Sequence, residues 1–310
     1  MLQSRLVLLQ AAAGFGKTSA LAAAIAGLPA GTALAWVSLD ADDDAPRLFR
    51  CLAAALEPVD LPWRTAPEAL ALRIGEGRAG ASLAQAELIN ALADSEAPSG
   101  VIVLDDLHRL HDAALLDWLA SVIERLPAHW SVALSTRVEP ALPIARWRAG
   151  GELAEFDQDS LRFSAEEAAA LAAAEGAGER AARLHERTGG WAAGLRLGLA
   201  ALKGRAAAAS NAPAGLIDRH LFEFVASEVL DDLPAPLHDF LLRSSVLPEL
   251  SAATAAAVSG DARAAEGLDE IERRGLFATP LDAPERTLVL HELFREALQQ
   301  RLRRLEPEAW

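Results

Sequence analysis

A single cysteine, Cys51, excludes an internal disulfide and any multi-cysteine metal site, and it fits a reduced, cytoplasmic setting. Positive charge is also scarce. Against 44 Asp and Glu stand 29 Lys and Arg, giving a formal net charge of −15 and a pI near 4.9. Sequence-independent nucleic-acid binding depends on clustered basic side chains, so this balance disfavours DNA as a direct partner. The clearest local concentration of arginine, Arg295 to Arg304, reads as a solvated helix face. The sequence has no uninterrupted apolar run of about 18 residues, which argues against a membrane span. Leu6 to Ala13 followed by small residues at Ala22 to Ala26 has the outline of a secretory signal, but Lys17 interrupts it. No repeat of roughly 20 to 50 residues is visible. A guanine-reading Asn-Lys-x-Asp and a Leu-Ser-Gly-Gly-Gln transporter signature are both missing, which leaves GTPase and ABC readings without support.

What remains is a chain with ample material for a large core, 310 residues of which 52% are hydrophobic and 24% charged. At roughly 100 to 200 residues per domain, two or three packed units are expected. From residue 5 to about 156, short apolar runs alternate with longer amphipathic stretches, the pattern of parallel strands joined by crossover helices. Five strands are predicted: Arg5 to Gln10, Ala33 to Leu39, Val101 to Leu104, Ser131 to Ser135 and Glu152 to Phe156. Helices are predicted near Lys17 to Ala26, Ala45 to Leu56, Ser82 to Ala93 and Ala113 to Arg125. Beyond Phe156 the pattern turns helical. It starts at Ser164-Ala165-Glu166-Glu167, where a serine cap and a glutamate three positions on can satisfy free amides reciprocally. The alanine-rich stretch Lys203 to Gly215, with Asn211 and Pro213, marks a break. After it, helices resume at Leu216, and the pair Leu276 to Leu281 and Thr287 to Leu290 suggests a β-hairpin wing. The resulting division is an α/β domain over 1–160, a small helical domain over 161–212 and a winged-helix-like domain over 213–310.

The strand, glycine-rich loop and helix of Arg5 to Ala26 form the order that a phosphate needs, because loop amides and a helix N-terminus both point at its oxygens. Ala13-Gly14-Phe15-Gly16-Lys17-Thr18-Ser19 is therefore the expected phosphate-binding segment. Gly14 and Gly16 let the backbone close on the anion, Lys17 reaches the β- and γ-phosphates, and the Thr18 hydroxyl ligates Mg²⁺. The full P-loop pattern calls for glycine where Ala11 stands, so the match is incomplete.

Val101-Ile102-Val103-Leu104-Asp105-Asp106 is a buried-strand pattern that ends in two carboxylates, at the strand edge where open α/β sheets place ligands. Asp105 is expected in the Mg²⁺ shell, with Asp106 orienting or deprotonating the attacking water. Arg137, ending the next strand, reads equally well as a contact to a γ-phosphate or as a solvated strand-end arginine. His291, at the start of the last helix, is open in the same way. His108 and His111 lack partners at metal spacing and are expected on the surface, while Cys51 is expected in the core.

Eight ordered segments together resemble the MalT-like regulators, the large ATP-binding LuxR-type branch of the STAND signal-transduction ATPases. They are Ala11 to Thr18, Ala35-Trp36-Val37-Ser38-Leu39-Asp40, the acidic pair through His108, Ser135-Thr136-Arg137, Asp159 to Ser164, Arg187 to Leu195, Leu276 to Asp282 and His291-Glu292-Leu293-Phe294. The family usually carries alanine at the position of Ala11. The resemblance implies a parallel-sheet P-loop NTPase domain of the ASCE type, followed by a helical and a winged-helix domain. It further implies a switch in which ADP holds a closed resting form, while ATP and an inducer favour an open form that self-associates. On the same ground Arg137 resembles the family's γ-phosphate sensor, His291 resembles its ADP-contacting histidine, and Gly189-Gly190-Trp191 falls near the base.

Relatives of this kind add an upstream segment that helps to receive the adenine, a helical-repeat sensor and a LuxR-type helix-turn-helix. None of these is recognisable in residues 1–310, so a weakened grip on the base and no DNA-binding module are expected. A regulatory switch with slow ATP hydrolysis is the favoured reading. A housekeeping P-loop ATPase or kinase, and a truncated non-catalytic interaction module, are the alternatives.

Overall fold

The computed structural model describes residues 4–178, 181–196, 198–199, 230, 233–261, 263–274, 276–281 and 287–306. These residues divide into two compact units. Met1–Ala11 and Lys17–Gln158 form the first, Ala12–Gly16 and Asp159–Trp310 the second. The break expected at Lys203 to Gly215, the helix start at Leu216 and the boundary at 212/213 lie outside the described residues. Among the described residues no helix is long and apolar enough to cross a membrane.

The first unit is built on five parallel strands in the order β2-β3-β4-β1-β5. They are β1 (Leu6–Gln10), β2 (Ala33–Ser38), β3 (Gly100–Asp105), β4 (Trp130–Thr136) and β5 (Leu153–Phe156). β3 and β4 are buried along their whole length, as near-continuous apolar runs in a sheet covered on both faces should be. Their first residues pack tightly. A side chain at Gly100 would strike the Trp130 ring, and the Trp130 indole donates to the Leu92 carbonyl at 3.2 Å. The strand order puts the C-terminal ends of β3, β4 and β1 side by side, which is where open parallel sheets bind ligands.

Helices α1 (Lys17–Ala26), α2 (Ala45–Ala55), α3 (Pro67–Gly75), α4 (Arg78–Ala93), α5 (Ala113–Arg125) and α6 (Ile144–Ala149) complete this unit. Asp44 and Asp112 cap α2 and α5 by accepting from first-turn amides, each cap contributing about 1 kcal/mol. The five strands lie where the sequence pattern puts them, with ends displaced by one residue. The helices α3 and α6 are not in that pattern, and α4 begins four residues before Ser82. Gly80 explains the earlier start, because it lies in the first turn of α4 against the Arg73 carbonyl, where a Cβ would overlap that oxygen. A poor helix former masks the true beginning. Cys51 is half-buried and packs against the core.

In the second unit, α7 (Ala165–Ala174) opens with the expected reciprocal cap. The Ser164 hydroxyl accepts from the Glu167 amide, and the Glu167 carboxylate accepts from the Ser164 amide. It packs with α8 (Ala181–Thr188) through Ala168, Ala172, Ala181 and Leu184. Further on come α9 (Ala235–Ser244), α10 (Ala252–Ser259), α11 (Ala264–Arg273) and α12 (Glu292–Leu305). The hairpin of β7 (Ala278–Leu281) and β8 (Thr287–Leu290) is antiparallel as expected. A third short strand, β6 (Leu250–Ser251), pairs on the other edge of β8 and was not legible in two residues. Three helices, a small sheet and a last helix make up the winged-helix architecture. Along α12, Phe294, Ala297, Leu298 and Leu302 are buried and Arg303 and Arg304 exposed.

Candidate functional site

The turn after β1 has Gly14 at φ +74° and Gly16 at φ +82°, left-handed values that a side chain would strain. Lys17 and Thr18 then start α1. Lys17 is only 7% exposed, and its ammonium donates to the Ala11 carbonyl at 2.8 Å. Burial chiefly, then the positive charge of Arg137, lowers its pKa to about 8, while Asp106 and Asp105 pull the other way. It therefore remains cationic at neutral pH.

Asp105 ends β3 as a buried carboxylate with both oxygens engaged. The Thr18 hydroxyl donates to Oδ2 at 2.9 Å and the Ser135 hydroxyl donates to Oδ1. The register explains this, because Leu104 pairs with Leu134 and the next residues on β3 and β4 are Asp105 and Ser135. Ser135 also accepts from the Asp106 amide at 2.9 Å. Asp106, the first residue past β3, sits at φ +62°, an uncommon backbone setting for a residue with a side chain. Its carboxylate lies 3.8 Å from His108 Nδ1 and 4.0 Å from Arg109 Nε.

His108 corrects the expectation of a surface residue. Its side chain is 14% exposed, and among the described residues Nδ1 is buried without a hydrogen bond. Burial first, then Arg137, Lys17, Arg109 and His111, lowers its pKa to about 3. The imidazole is neutral, so its approach to Asp106 is a polar contact and not an ion pair. His111 is exposed, as expected. Arg137 is half-buried one residue past β4, near enough to act electrostatically on both Lys17 and His108.

Within the second unit, Ala12–Gly16 are held by residues from far along the chain. The Trp191 indole donates to the Ala13 carbonyl at 3.1 Å, and the Ala193 amide donates to the Gly14 carbonyl at 2.9 Å. Phe15 is buried, with the Arg162 guanidinium 5.6 Å above its ring. Arg162 is fixed in turn by donating to the Gly189 carbonyl at 2.7 Å. His291 precedes α12, its amide donating to the Phe277 carbonyl at 2.7 Å, and its ring lies 6.1 Å from that of Trp191.

Of the residues singled out in the sequence, Lys17, Thr18, Asp105, Asp106 and Arg137 come together in the first unit. Ala13, Gly14, Phe15, Gly16 and His291 belong to the second, and Ser19 is exposed on α1. Sequence reading missed Ser135 as a partner of Asp105, His108 as a buried neighbour of Asp106, and the contact between Trp191 and the loop. A polar residue ending a buried apolar strand was the available signal for Ser135.

The donor set at Thr18 and Asp105 is hard oxygen, which suits Mg²⁺. Among the described residues no group of three or more His, Cys, Asp or Glu could hold a metal by itself. An ion here would share its shell with phosphate oxygens and water, as Mg²⁺ commonly does with nucleotides.

Residues 226–310 match the family model of the MalT winged helix domain. Over 97% of its length the chain is 32% identical to the serine/threonine-protein kinase PknK of Mycobacterium tuberculosis, covering 27% of that protein. Over 96% it is 31% identical to the HTH-type transcriptional regulator MalT of Klebsiella pneumoniae, covering 33% of it. The chain thus spans about a third or less of the length of these relatives. A Walker-type ATPase of Pyrococcus abyssi has the same fold, with a TM-score of 0.65 at 13% identity over 95% of this chain and 91% of that one. Loop, acidic strand end and fold agree: the chain has the fold of a P-loop NTPase, is similar to MalT over 96% of its length, and matches the MalT winged helix domain over residues 226–310.

Proposed function

We propose that the chain is the ATP- and ADP-binding switch of a signal-responsive transcriptional regulator, in which slow hydrolysis accompanies a change of domain arrangement and self-association. The observation that carries this reading is the linked set Lys17, Thr18, Asp105 and Ser135, in which a buried cation lies beside a metal-ready hydroxyl and carboxylate. Lys17 would leave the Ala11 carbonyl for the β- and γ-phosphates. Thr18 and Asp105 would hold Mg²⁺, which neutralises phosphate charge when bound. Asp106, just past the end of β3, would orient the attacking water or take its proton, and the neutral His108 beside it adds no competing positive charge. Arg137 would meet the γ-phosphate, and His291 would contact ADP in the resting form.

The relatives support a regulatory module over a dedicated enzyme. A kinase and a transcriptional regulator match the same stretch of this chain, each over a third or less of its own length. What two proteins of different output share is more fitting as a control element than as either output. An inducer, cytoplasmic location and assembly in the ATP form belong to this proposal.

Purified protein should retain ADP, melt at higher temperature with ADP or ATP and Mg²⁺, and turn ATP over slowly. Asp106→Asn should spare binding and slow hydrolysis about 100-fold, the scale of a lost general base. Rapid multiple turnover, or transfer of phosphate to an acceptor other than water, would favour a housekeeping enzyme instead.

A further inference from the structure

The resemblance puts Gly189-Gly190-Trp191 near a nucleotide base, yet the indole of Trp191 is spent on the phosphate loop itself. A loop that turns its amides toward an anion turns its carbonyls away. Two consecutive carbonyls of this loop, those of Ala13 and Gly14, each receive a donor from the segment Trp191 to Ala193, the first across 178 positions of sequence. The fit is close. A Cβ on Gly14 would lie 2.7 Å from both Trp191 Nε1 and the Ala193 Cβ.

Trp191 is 1% exposed and is set by its neighbours. Gly190, at φ +77°, passes so near Phe163 that a Cβ would come within 2.5 Å of its carbonyl, and its own carbonyl accepts from the Phe163 amide at 2.9 Å. Gly194 leaves room for the indole, since a Cβ there would lie 2.7 Å from the ring. Away from the loop, the same ring meets Phe277 edge-on at 5.4 Å and lies beside His291. Phe277 packs on Phe294 of α12 at 5.1 Å. One side chain thus donates to the phosphate loop and packs against the two residues that flank the winged-helix hairpin.

We propose that Trp191 is a positioning residue for the phosphate loop, holding its carbonyl face together with the Ala193 amide, so that retention of a nucleotide's phosphates depends on the packing around Phe277 and His291. This rests on the nucleotide-binding reading above.

The test compares ADP release from the full chain with release from two variants. Trp191→Phe keeps an aromatic ring and removes the donor. Ala193→Pro removes the second donor in the first turn of a helix, where proline is tolerated. Each should release ADP about tenfold faster, the scale of one lost buried hydrogen bond. Affinity for inorganic pyrophosphate should fall by the same factor, because the loop holds phosphate and not base. A merely structural role would lower the melting temperature of the unligated variants and leave ADP release from the folded protein unchanged, and that result overturns the proposal. Wild-type protein that binds no ADP overturns the underlying nucleotide reading, whereas wild-type binding with unaltered release from both variants overturns this inference alone.

Discussion

Lys17 and Thr18 are held by groups of the first unit, the Ala11 carbonyl and the Asp105 carboxylate, while Ala13 and Gly14, only a few residues earlier, are held by Trp191 and Ala193 of the second. The contrast separates chemistry from support. Side chains that would act on phosphate are satisfied at the C-terminal ends of β1 and β3, two strands of one parallel sheet whose pairing follows from the apolar runs. The loop backbone depends on donors that no local pattern reveals.

The largest expected effect breaks the first half of that comparison. Lys17→Met should weaken ADP and ATP binding by ~1000-fold, because the buried cation is the charge that meets the phosphates. Without ligand the same variant should be more stable by about 1 kcal/mol, since a buried charge is replaced by an apolar chain of similar length. Calorimetric titration and urea unfolding of one preparation measure both. A variant that loses stability as well as binding would show that Lys17 supports the empty fold.

Gly14→Ala tests the second half. It combines a left-handed backbone with a Cβ driven onto Trp191 and Ala193, and should cost about 3 kcal/mol in urea unfolding. A smaller loss would mean that the support from Trp191 and Ala193 yields readily.

His108 provides a pH arm within the first unit. Its folded pKa is depressed from 6.5 to about 3, so between those values the unfolded chain takes up a proton that the folded chain refuses. Its contribution to stability is complete above pH 6.5 and is lost as the pH falls toward 3. His108→Gln cannot titrate, and should remove about 2 kcal/mol of the difference between urea unfolding at pH 7 and pH 4.5, a figure reduced for partial exposure. An unchanged pH dependence would mean that the imidazole protonates freely in place.

The smallest effect belongs to Gly16→Ala. Its φ is as left-handed as that of Gly14, but a Cβ would lie an unstrained 3.7 Å from Ala192. Only the backbone preference is lost, about 1 kcal/mol. Equal losses at the two glycines would erase the distinction between a supported and an open part of the loop.

Much of the first unit could be read in advance. β1 to β5 announced themselves as short apolar runs, with Lys17 and Thr18 opening the helix after β1 and Asp105 and Asp106 at the end of β3. α3 was hidden because only Leu70, Ala71 and Ile74 face inward along its nine residues, and the start of α4 was hidden by Gly80. His108 was misjudged because two positions after a strand end says nothing about burial. Its placement depends on the left-handed turn at Asp106 and the short 3-10 helix Leu107–Arg109 that follows. Trp191 was noticed as part of a motif, but its partner Ala13 lies 178 positions away and offers only a carbonyl, a group that every residue has.

The most direct measurement of the central claim is thermal unfolding of the wild-type chain and of Lys17→Met, with and without ADP and Mg²⁺. At a hundredfold excess over its dissociation constant, ADP should stabilise the wild type by about 2.7 kcal/mol and raise its Tm by several degrees, and leave the variant unmoved. A wild type whose Tm ignores both ADP and ATP, or a variant that responds as the wild type does, would contradict nucleotide binding at this loop.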